Sequence, residues 1–329
     1  NKGDTFLNGI VPFVAYGIVV TIHMPMCLGM TNIIALILSP KEFTEFMIKY
    51  KPNHTVTVPT YVEHFVHDKK ADSMNWKCLK NLGIGGDYFS EQSEIYVNEF
   101  LKRHGSSSIA EKGYGMTENS ATAGVCLVGV NKINSLGIPL PLNTYGIFER
   151  GSDKELKYGE EGEICITGPT EMLGYLNNKE EEDKVIKVHS DGRRWIHSED
   201  VGLIDEDGFL FFKGRYKRLI PHGGFKLYPS YIEGVIMEHP DIDSCCVIPI
   251  PDKVYGASPE AHIVAKKDKI RELEKLKEEL IELCQDRLPS YSQLEDFIFE
   301  EDLPLTSVGK VDYKEVEKKR IKKLEEGTK

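Results

Sequence analysis

The sequence predicts an α/β chain built in three parts, and three observations carry that reading. Residues 1–126 alternate apolar, β-branched runs with helix-spaced segments, the pattern of a parallel sheet covered by helices. Residues 127–216 turn to glycine, proline and short β runs, which predicts a small β subdomain shaped as a distorted barrel. Residues 217–329 mix strands with amphipathic helices, as in a separate α+β domain. A chain of 329 residues is long enough to give each part a core.

Element by element, the first part opens on residues 5–40, which contain no Asp, Glu, Lys or Arg. A membrane-spanning helix needs roughly 20 apolar residues, but Pro12, Gly17, His23, Pro25, Gly29 and Asn32 interrupt this run. No basic cluster flanks it, so a buried helix plus strand is expected. Residues 32–38 read as a strand covered on both faces. Residues 41–51 have helix spacing, with Phe43, Phe46, Met47 and Tyr50 on one side. Thr55 to Val58 form a short strand closed by Pro59, and residues 79–84 form another that ends at Gly85-Gly86-Asp87. Residues 90–103 suit a helix with Ser90 as N-cap. In the second part the strands are placed at residues 146–149, 162–166, 201–204 and 209–212, with Asp205-Glu206-Asp207-Gly208 as a hairpin turn. In the third, residues 229–237 suit a helix with an early proline, residues 244–249 and 261–265 suit strands, and residues 267–288 suit a helix with its leucines inward. Residues 314–329 read as a charged helix or tail with a solvated face.

Composition removes several functions. A net charge of −11 argues against nucleic acid as a partner. The hydrophobic share of 40% and charged share of 28% describe a soluble globular protein. Seven cysteines, an odd number with no CxxC spacing, read as reduced thiols in a cytoplasmic protein. Cys245 and Cys246 sit in a strand-like run and face opposite sides of it as core thiols.

The chemistry centres on Gly113-Tyr114-Gly115-Met116-Thr117-Glu118. Two glycines permit tight backbone geometry. An aromatic ring, a hydroxyl and a carboxylate within five residues offer a face for a base, a donor for a phosphate and an anion for a metal. Both this loop and Gly85-Gly86-Asp87 fall at predicted strand ends, where ligands of parallel sheets bind.

With the stretches Trp195 to Asp200, Gly214-Arg215-Tyr216-Lys217 and Pro304 to Lys310, these loops resemble, in order and spacing, the acyl-adenylate-forming (AMP-binding) superfamily. That superfamily contains acyl-CoA synthetases, adenylation domains and luciferases, and the resemblance runs over nearly the whole chain. It implies the C-terminal portion of such an enzyme, with a mobile C-terminal domain. It implies activation of a carboxylic acid by ATP as acyl-AMP, with Mg²⁺, followed by transfer to the thiol of CoA or of a carrier protein. Gly85, Gly86, Asp87, Tyr114, Gly115 and Met116 would border the nucleotide, Tyr114 lying against the adenine. Thr117 would donate to the α-phosphate, and Glu118 would hold Mg²⁺, a hard cation that takes carboxylate oxygen. Asp200 would accept from the ribose hydroxyls, and Arg215 would add donors beside them. Lys310 would offset the charge of two approaching anions during adenylation. Lys217 would be the hinge about which the small domain turns, and the Gly223-Gly224-Phe225-Lys226 loop would approach the thiol, or else serve as a plain hairpin turn.

The resemblance has gaps. The family's Ser/Thr/Gly-rich phosphate loop, ending in Pro-Lys-Gly, has no counterpart here. The chain start therefore reads as an internal point of a longer protein, and this polypeptide alone is expected to be inactive or weakly active. Ser198-Glu199-Asp200 stands where the family has Thr-Gly-Asp, placing an extra anion at the nucleotide site. Gly113, Ser120, Ala121, Ala123 and Gly124 are small enough to leave room for an acyl group. Two alternatives to a CoA ligase are an enzyme loading a carrier-protein thiol and a non-catalytic AMP-binding or interaction fragment.

Overall fold

The computed structural model describes residues 2–35, 37, 39–266, 272–294, 297–306 and 310–327. The chain divides into two compact units, Asn1–Phe212 and Lys213–Lys329.

The first unit is organised on a seven-stranded sheet. It starts with β1 (Thr5–Asn8), a π-helical segment (Gly17–His23) that runs into α1 (Met24–Cys27), and β2 (Thr31–Ile33). Ser39 accepts from the Glu42 N–H and Pro40 takes the first helical position, so α2 (Pro40–Tyr50) begins where both residue types favour a helix start. Then come β3 (His54–Thr57), α3 (Pro59–His67), α4 (Lys69–Asp72), β4 (Asn81–Ile84), α5 (Glu91–Arg103) and β5 (Ala110–Tyr114). Ser90 caps α5 through the Ser93 N–H, as expected. The sheet order is β2-β1-β3-β4-β5 followed by β6 (Gly124–Val125) and β7 (Ile138–Pro139). β1 to β5 pair parallel, whereas β6 and β7 pair antiparallel.

Side-chain alternation explains how this sheet is covered. Leu7, Leu82 and Ile84 point into a core with Phe43, Phe65, Trp76 and Phe100, contributed by α2, α3, α5 and the segment before β4. Phe65 meets Trp76 and Phe100 edge-on at 4.8 and 5.5 Å, the favoured aromatic geometry. Phe6 and Val56 point the other way, toward Tyr16 and Val20.

Two expectations for this region are corrected. The strand placed at residues 32–38 is only Thr31–Ile33, and Ile34 is 61% exposed. β2 is the sheet edge, paired to β1 alone, so it lacks the two-sided cover that its apolar composition implied. Leu36 and Leu38 lie outside the described residues. The apolar run also supplies a helix that is buried on one side only, since Ile18 and Met26 are exposed. Among the described residues, no helix is long and apolar enough to cross a membrane.

A second sheet has the order β10-β11-β9-β8, with β12 beside β11; the unit boundary falls within β12, after Phe212. Its strands are β8 (Thr144–Phe148), β9 (Gly162–Thr167), β10 (Ile186–Val188), β11 (Arg194–Ile204) and β12 (Leu210–Arg215), with α6 (Lys179–Val185) before β10. The predicted turn closes β11 onto β12: Asp205 N–H donates to Phe209 O and Gly208 N–H to Asp205 O. One face buries Ile147, Ile164, Ile166 and Ile196 with Tyr114. The other buries Phe148, Cys165 and Trp195.

The second unit contains β13 (Ile220–His222), β14 (Phe225–Leu227), α7 (Pro229–Ile236), β15 (Ile242–Asp252), β16 (Gly256–Ala265), α8 (Leu273–Arg287), β17 (Phe297–Phe299) and α9 (Tyr313–Gly327). Its sheet runs β14-β13-β16-β15, with β17 parallel to β16. α7 and α8 pack on one face, where Leu276, Leu280 and Cys284 are buried, and Val316 of α9 packs on the other. Cys245 belongs to the first face and Cys246 to the second, as strand alternation requires. Residues 267–271, expected as the start of α8, lie outside the described residues.

Candidate functional site

The loop after β5 is fixed by its own backbone. Met116 N–H donates to Asn119 Oδ1 at 2.6 Å, while the N–H groups of Asn119 and Ala121 donate to Met116 O. These bonds close a 3₁₀ turn over Thr117–Asn119. Ser120 and Ala121 then take positive φ, +60° and +99°, and carry the chain back to β6. A Cβ on Gly115 would lie 2.0 Å from Ala121 O, so only glycine fits this closure. The result leaves Thr117 exposed at the tip and Glu118 half-buried beside it.

The ring of Tyr114 is buried in the second sheet's core, edge-on to Tyr145. Its hydroxyl donates to Asp200 Oδ2 at 2.8 Å. Burial, reinforced by the Asp200 carboxylate, pushes the Tyr114 hydroxyl well above the ordinary phenol value, so it stays a donor. Two stretches 86 residues apart thus meet through a charge-assisted hydrogen bond.

Asp200 sits on an irregularity of β11, whose register against β9 shifts between His197 and Val201. Glu199, at the centre of that bulge, has φ +58°, the left-handed region where glycine is strain-free. The family's glycine at this position thus has a conformational reason, and the chain holds a glutamate there against it. Ser198 Oγ accepts from Asp200 N–H at 3.0 Å and donates to Ile164 O at 2.6 Å. Glu199 N–H donates to Glu163 Oε1 at 3.0 Å.

Glu163 is 4% exposed, and its Oε2 lies 3.0 Å from His197 Nδ1. Burial raises this carboxyl, but the His197 hydrogen bond and charge and the Glu199 N–H together outweigh it and hold it below its ordinary value. An ionised carboxylate only accepts, so His197 Nδ1 carries a proton toward it, and His189 Nε2 lies 2.9 Å from His197 Nε2. Glu163, Cys165 and His197 form the one group of three metal-capable donors among the described residues, all within 4.8 Å. Both Glu163 oxygens are already engaged, and burial pushes the Cys165 thiol up, so hydrogen bonding accounts for this group.

Glu118 accepts at Oε1 from the Tyr175 hydroxyl at 2.5 Å. Burial, then the hydrogen bond and charge of Glu118, raise the Tyr175 hydroxyl and keep it protonated. A carboxylate has about four acceptor sites, so the contact leaves Glu118 capacity for a hard cation. Gly85, at the carboxyl end of β4, is buried: a Cβ there would lie 3.1 Å from the Tyr16 hydroxyl and 3.3 Å from Gly113 O. Gly86 has φ +89°, and exposed Asp87 accepts from Tyr88 N–H. The space beside Gly124 is filled, since a Cβ would lie 2.1 Å from the Tyr145 hydroxyl. That correction removes Gly124 from a roomy acyl pocket.

In the second unit, Arg215 ends β12 and Lys217 lies in a 3₁₀ turn, Tyr216–Arg218; both are exposed. Gly223 and Gly224, with φ +55° and +87°, form the tight turn between β13 and β14. Lys310 is exposed, and its backbone exchanges hydrogen bonds with Thr306. Ser307, Val308 and Gly309 lie outside the described residues.

The sequence pattern described as AMP-binding enzyme matches residues 1–176, and that of the AMP-binding enzyme C-terminal domain matches residues 231–310. The chain belongs to the AMP-binding enzyme family. It is 31% identical to a protein of Dictyostelium discoideum named a probable 4-coumarate–CoA ligase, over 94% of this chain and 54% of the relative. It is 30% identical to a long-chain-fatty-acid–CoA ligase of Bacillus subtilis, over 94% of this chain and 53% of the relative. The chain thus spans about half the length of these relatives. Among solved structures it is similar to an anthranilate CoA ligase in complex with anthranoyl-AMP, with TM-score 0.84 and 20% identity over 96% of this chain and 59% of that one. It is also similar to the o-succinylbenzoate CoA synthetase of Bacillus subtilis in complex with its acyl-adenylate, with TM-score 0.80 and 23% identity over 96% and 61%. These likenesses bear out the α/β fold class and the superfamily expected from the sequence.

In this chain the structure brings Tyr114 and Asp200 together and sets Gly85 against Gly113. Arg215, Lys217, Gly224 and Lys310 lie in the other unit, on separate segments. Sequence reasoning missed Glu163, His197 and Tyr175. A signal existed for two of them: a glutamate stands in the apolar strand β9 and a histidine directly follows Trp195-Ile196 in β11, and a buried ionisable pair is the usual explanation of such placements.

Proposed function

We propose that the whole protein is an ATP-dependent carboxylate–CoA ligase. The observation that carries the reading is the Tyr114–Asp200 hydrogen bond, in a chain of the AMP-binding enzyme family. It ties the aromatic and acidic members of a nucleotide site across two sheets.

In the first step a carboxylate oxygen attacks the α-phosphorus of ATP, a P–O bond forms and the bond to pyrophosphate breaks. Thr117, exposed at the loop tip, donates to the α-phosphate. Asp200 accepts from the ribose hydroxyls, and Tyr114 with Gly85, Gly86 and Asp87 borders the base. Glu118 would hold Mg²⁺, which would supply charge neutralisation for the phosphates. Lys310 offsets the charge of the two approaching anions. In the second step a thiolate attacks the acyl carbonyl, the thioester C–S bond forms, and the C–O bond to AMP breaks.

Lys217 is the hinge between these states, and the turn at Gly223-Gly224 faces the thiol in the second. CoA is the acceptor favoured by the CoA-ligase relatives; a carrier-protein thiol is the other outcome of the assay. None of the seven cysteines is in a disulfide, which supports a cytoplasmic setting.

The test is pyrophosphate exchange and CoA thioester formation by the whole protein over a panel of aromatic and aliphatic acids. Lys310→Ala is expected to abolish exchange while sparing thioester formation from supplied acyl-AMP. Equal loss of both steps overturns the two-step assignment.

A further inference from the structure

Asp200 reaches its position through a strained bulge, and the structure shows what holds that bulge in place. Glu199 carries an unfavourable φ of +58°, a conformation that persists only where the surroundings impose it. Glu163, on the neighbouring strand β9, meets it from within the sheet. One carboxylate oxygen accepts from Glu199 N–H and the other from His197 Nδ1, both at 3.0 Å. His197 lies at the amino-terminal end of the bulge and Glu199 at its centre. Ser198 Oγ fastens the next peptide by accepting from Asp200 N–H and donating back to Ile164 of β9. The carboxylate is 4% exposed and His197 equally buried, with His189 behind it at 2.9 Å, so water cannot replace these bonds.

We propose that Glu163 is a positioning residue for Asp200: its buried carboxylate, oriented by His197, stations the Glu199 peptide so that Asp200 faces Tyr114 and the ribose. The assignment rests on the reading of Asp200 as the acceptor of the ribose hydroxyls. It gives a specific job to an ionised group that the two-step chemistry leaves unused. Glu163 acts only through the peptide it holds. Its loss therefore removes recognition of the ribose hydroxyls and spares contacts to base and phosphate.

The test compares AMP with 2′,3′-dideoxy-AMP by calorimetric titration of the 329-residue chain and two variants. Hydrogen bonds to a charged group support about tenfold or greater preference of the unaltered chain for AMP. Glu163→Gln retains the shape but loses the charge, and its single amide oxygen cannot serve both donors. Its preference is expected to fall below about threefold through weaker AMP binding alone, with the dideoxy affinity unchanged. Should this variant not fold, Glu163→Asp keeps the charge, withdraws the carboxylate by one methylene, and is expected to show the same selective loss. A folded variant that keeps the preference, or that weakens both ligands in parallel, overturns the proposal. An unaltered chain that binds both ligands equally, together with an Asp200→Asn variant that changes nothing, overturns the reading of Asp200 itself. The two failures are thereby distinct.

Discussion

Lys112 lies two residues before Tyr114, and its ammonium is paired with the Glu94 carboxylate inside the first unit. The side chains are 3% and 0% exposed. Glu94 also accepts from Asn134 N–H at 2.8 Å, so this carboxylate joins α5, β5 and the segment before β7. Lys112→Met keeps the length and apolar stem but leaves Glu94 as an uncompensated buried anion. Breaking one partner of such a pair costs about 3–5 kcal/mol, against a typical total stability of about 5–15 kcal/mol. Trp76 and Trp195, the two tryptophans of the chain, both lie in the first unit. Urea unfolding followed by tryptophan fluorescence therefore reads the affected unit. The single variant is expected to lose about 3–5 kcal/mol. Glu94→Leu with Lys112→Met is expected to recover about half of it, the remainder being the Asn134 N–H left without its acceptor, about 1–3 kcal/mol. A single variant within about 1 kcal/mol of the parent refutes the reasoning, because the anion would then have found water or another partner.

Three further predictions follow from particular groups. Burial pushes the Glu111 carboxyl up to about 7, against a hydrogen bond from Asn81 that lowers it. A folded value above the unfolded one means that the native state binds the extra proton, so this group's contribution is complete below about pH 4 and is lost as pH rises toward 7. Glu111→Gln is accordingly expected to stabilise more at pH 8 than at pH 5, by up to about 3 kcal/mol, in paired thermal melts; an equal effect at both pH values contradicts it. Glu199→Gly is expected to be about 1 kcal/mol more stable than Glu199→Ala, since only glycine relieves the positive φ; urea midpoints in the reverse order rule this out. Tyr175→Phe removes the donor that orients Glu118 and is expected to raise the Mg²⁺ concentration for half-maximal exchange about fivefold, at unchanged stability; an unshifted Mg²⁺ curve counts against that role.

Local signals were readable where the cause is local. Ser39-Pro40 and Ser90 mark the starts of α2 and α5 because cap and first-turn preferences act within four residues. The Asp205-to-Gly208 turn and the opposite facing of Cys245 and Cys246 are equally short-range. The motif loops at Gly85 and Tyr114 fall at carboxyl ends of parallel strands, as alternation of elements implied. The apolar content of residues 32–38 misled because composition cannot say that β2 would be an edge. Glu163 and His197, 34 residues apart, and Tyr175 and Glu118, 57 apart, meet only through strand pairing and loop return. Gly124 looked like room for an acyl group, whereas packing of the Tyr145 hydroxyl uses that room.

In the proposed adenylate site Tyr114 and Asp200 act together. The most direct measurement is calorimetric titration of AMP into the 329-residue chain and into its Asp200→Ala variant. Saturable one-to-one binding by the parent and a loss of about tenfold or more in the variant are expected, with the variant still folded by tryptophan fluorescence. No saturable binding by the parent, or equal affinity in the two proteins, would contradict it.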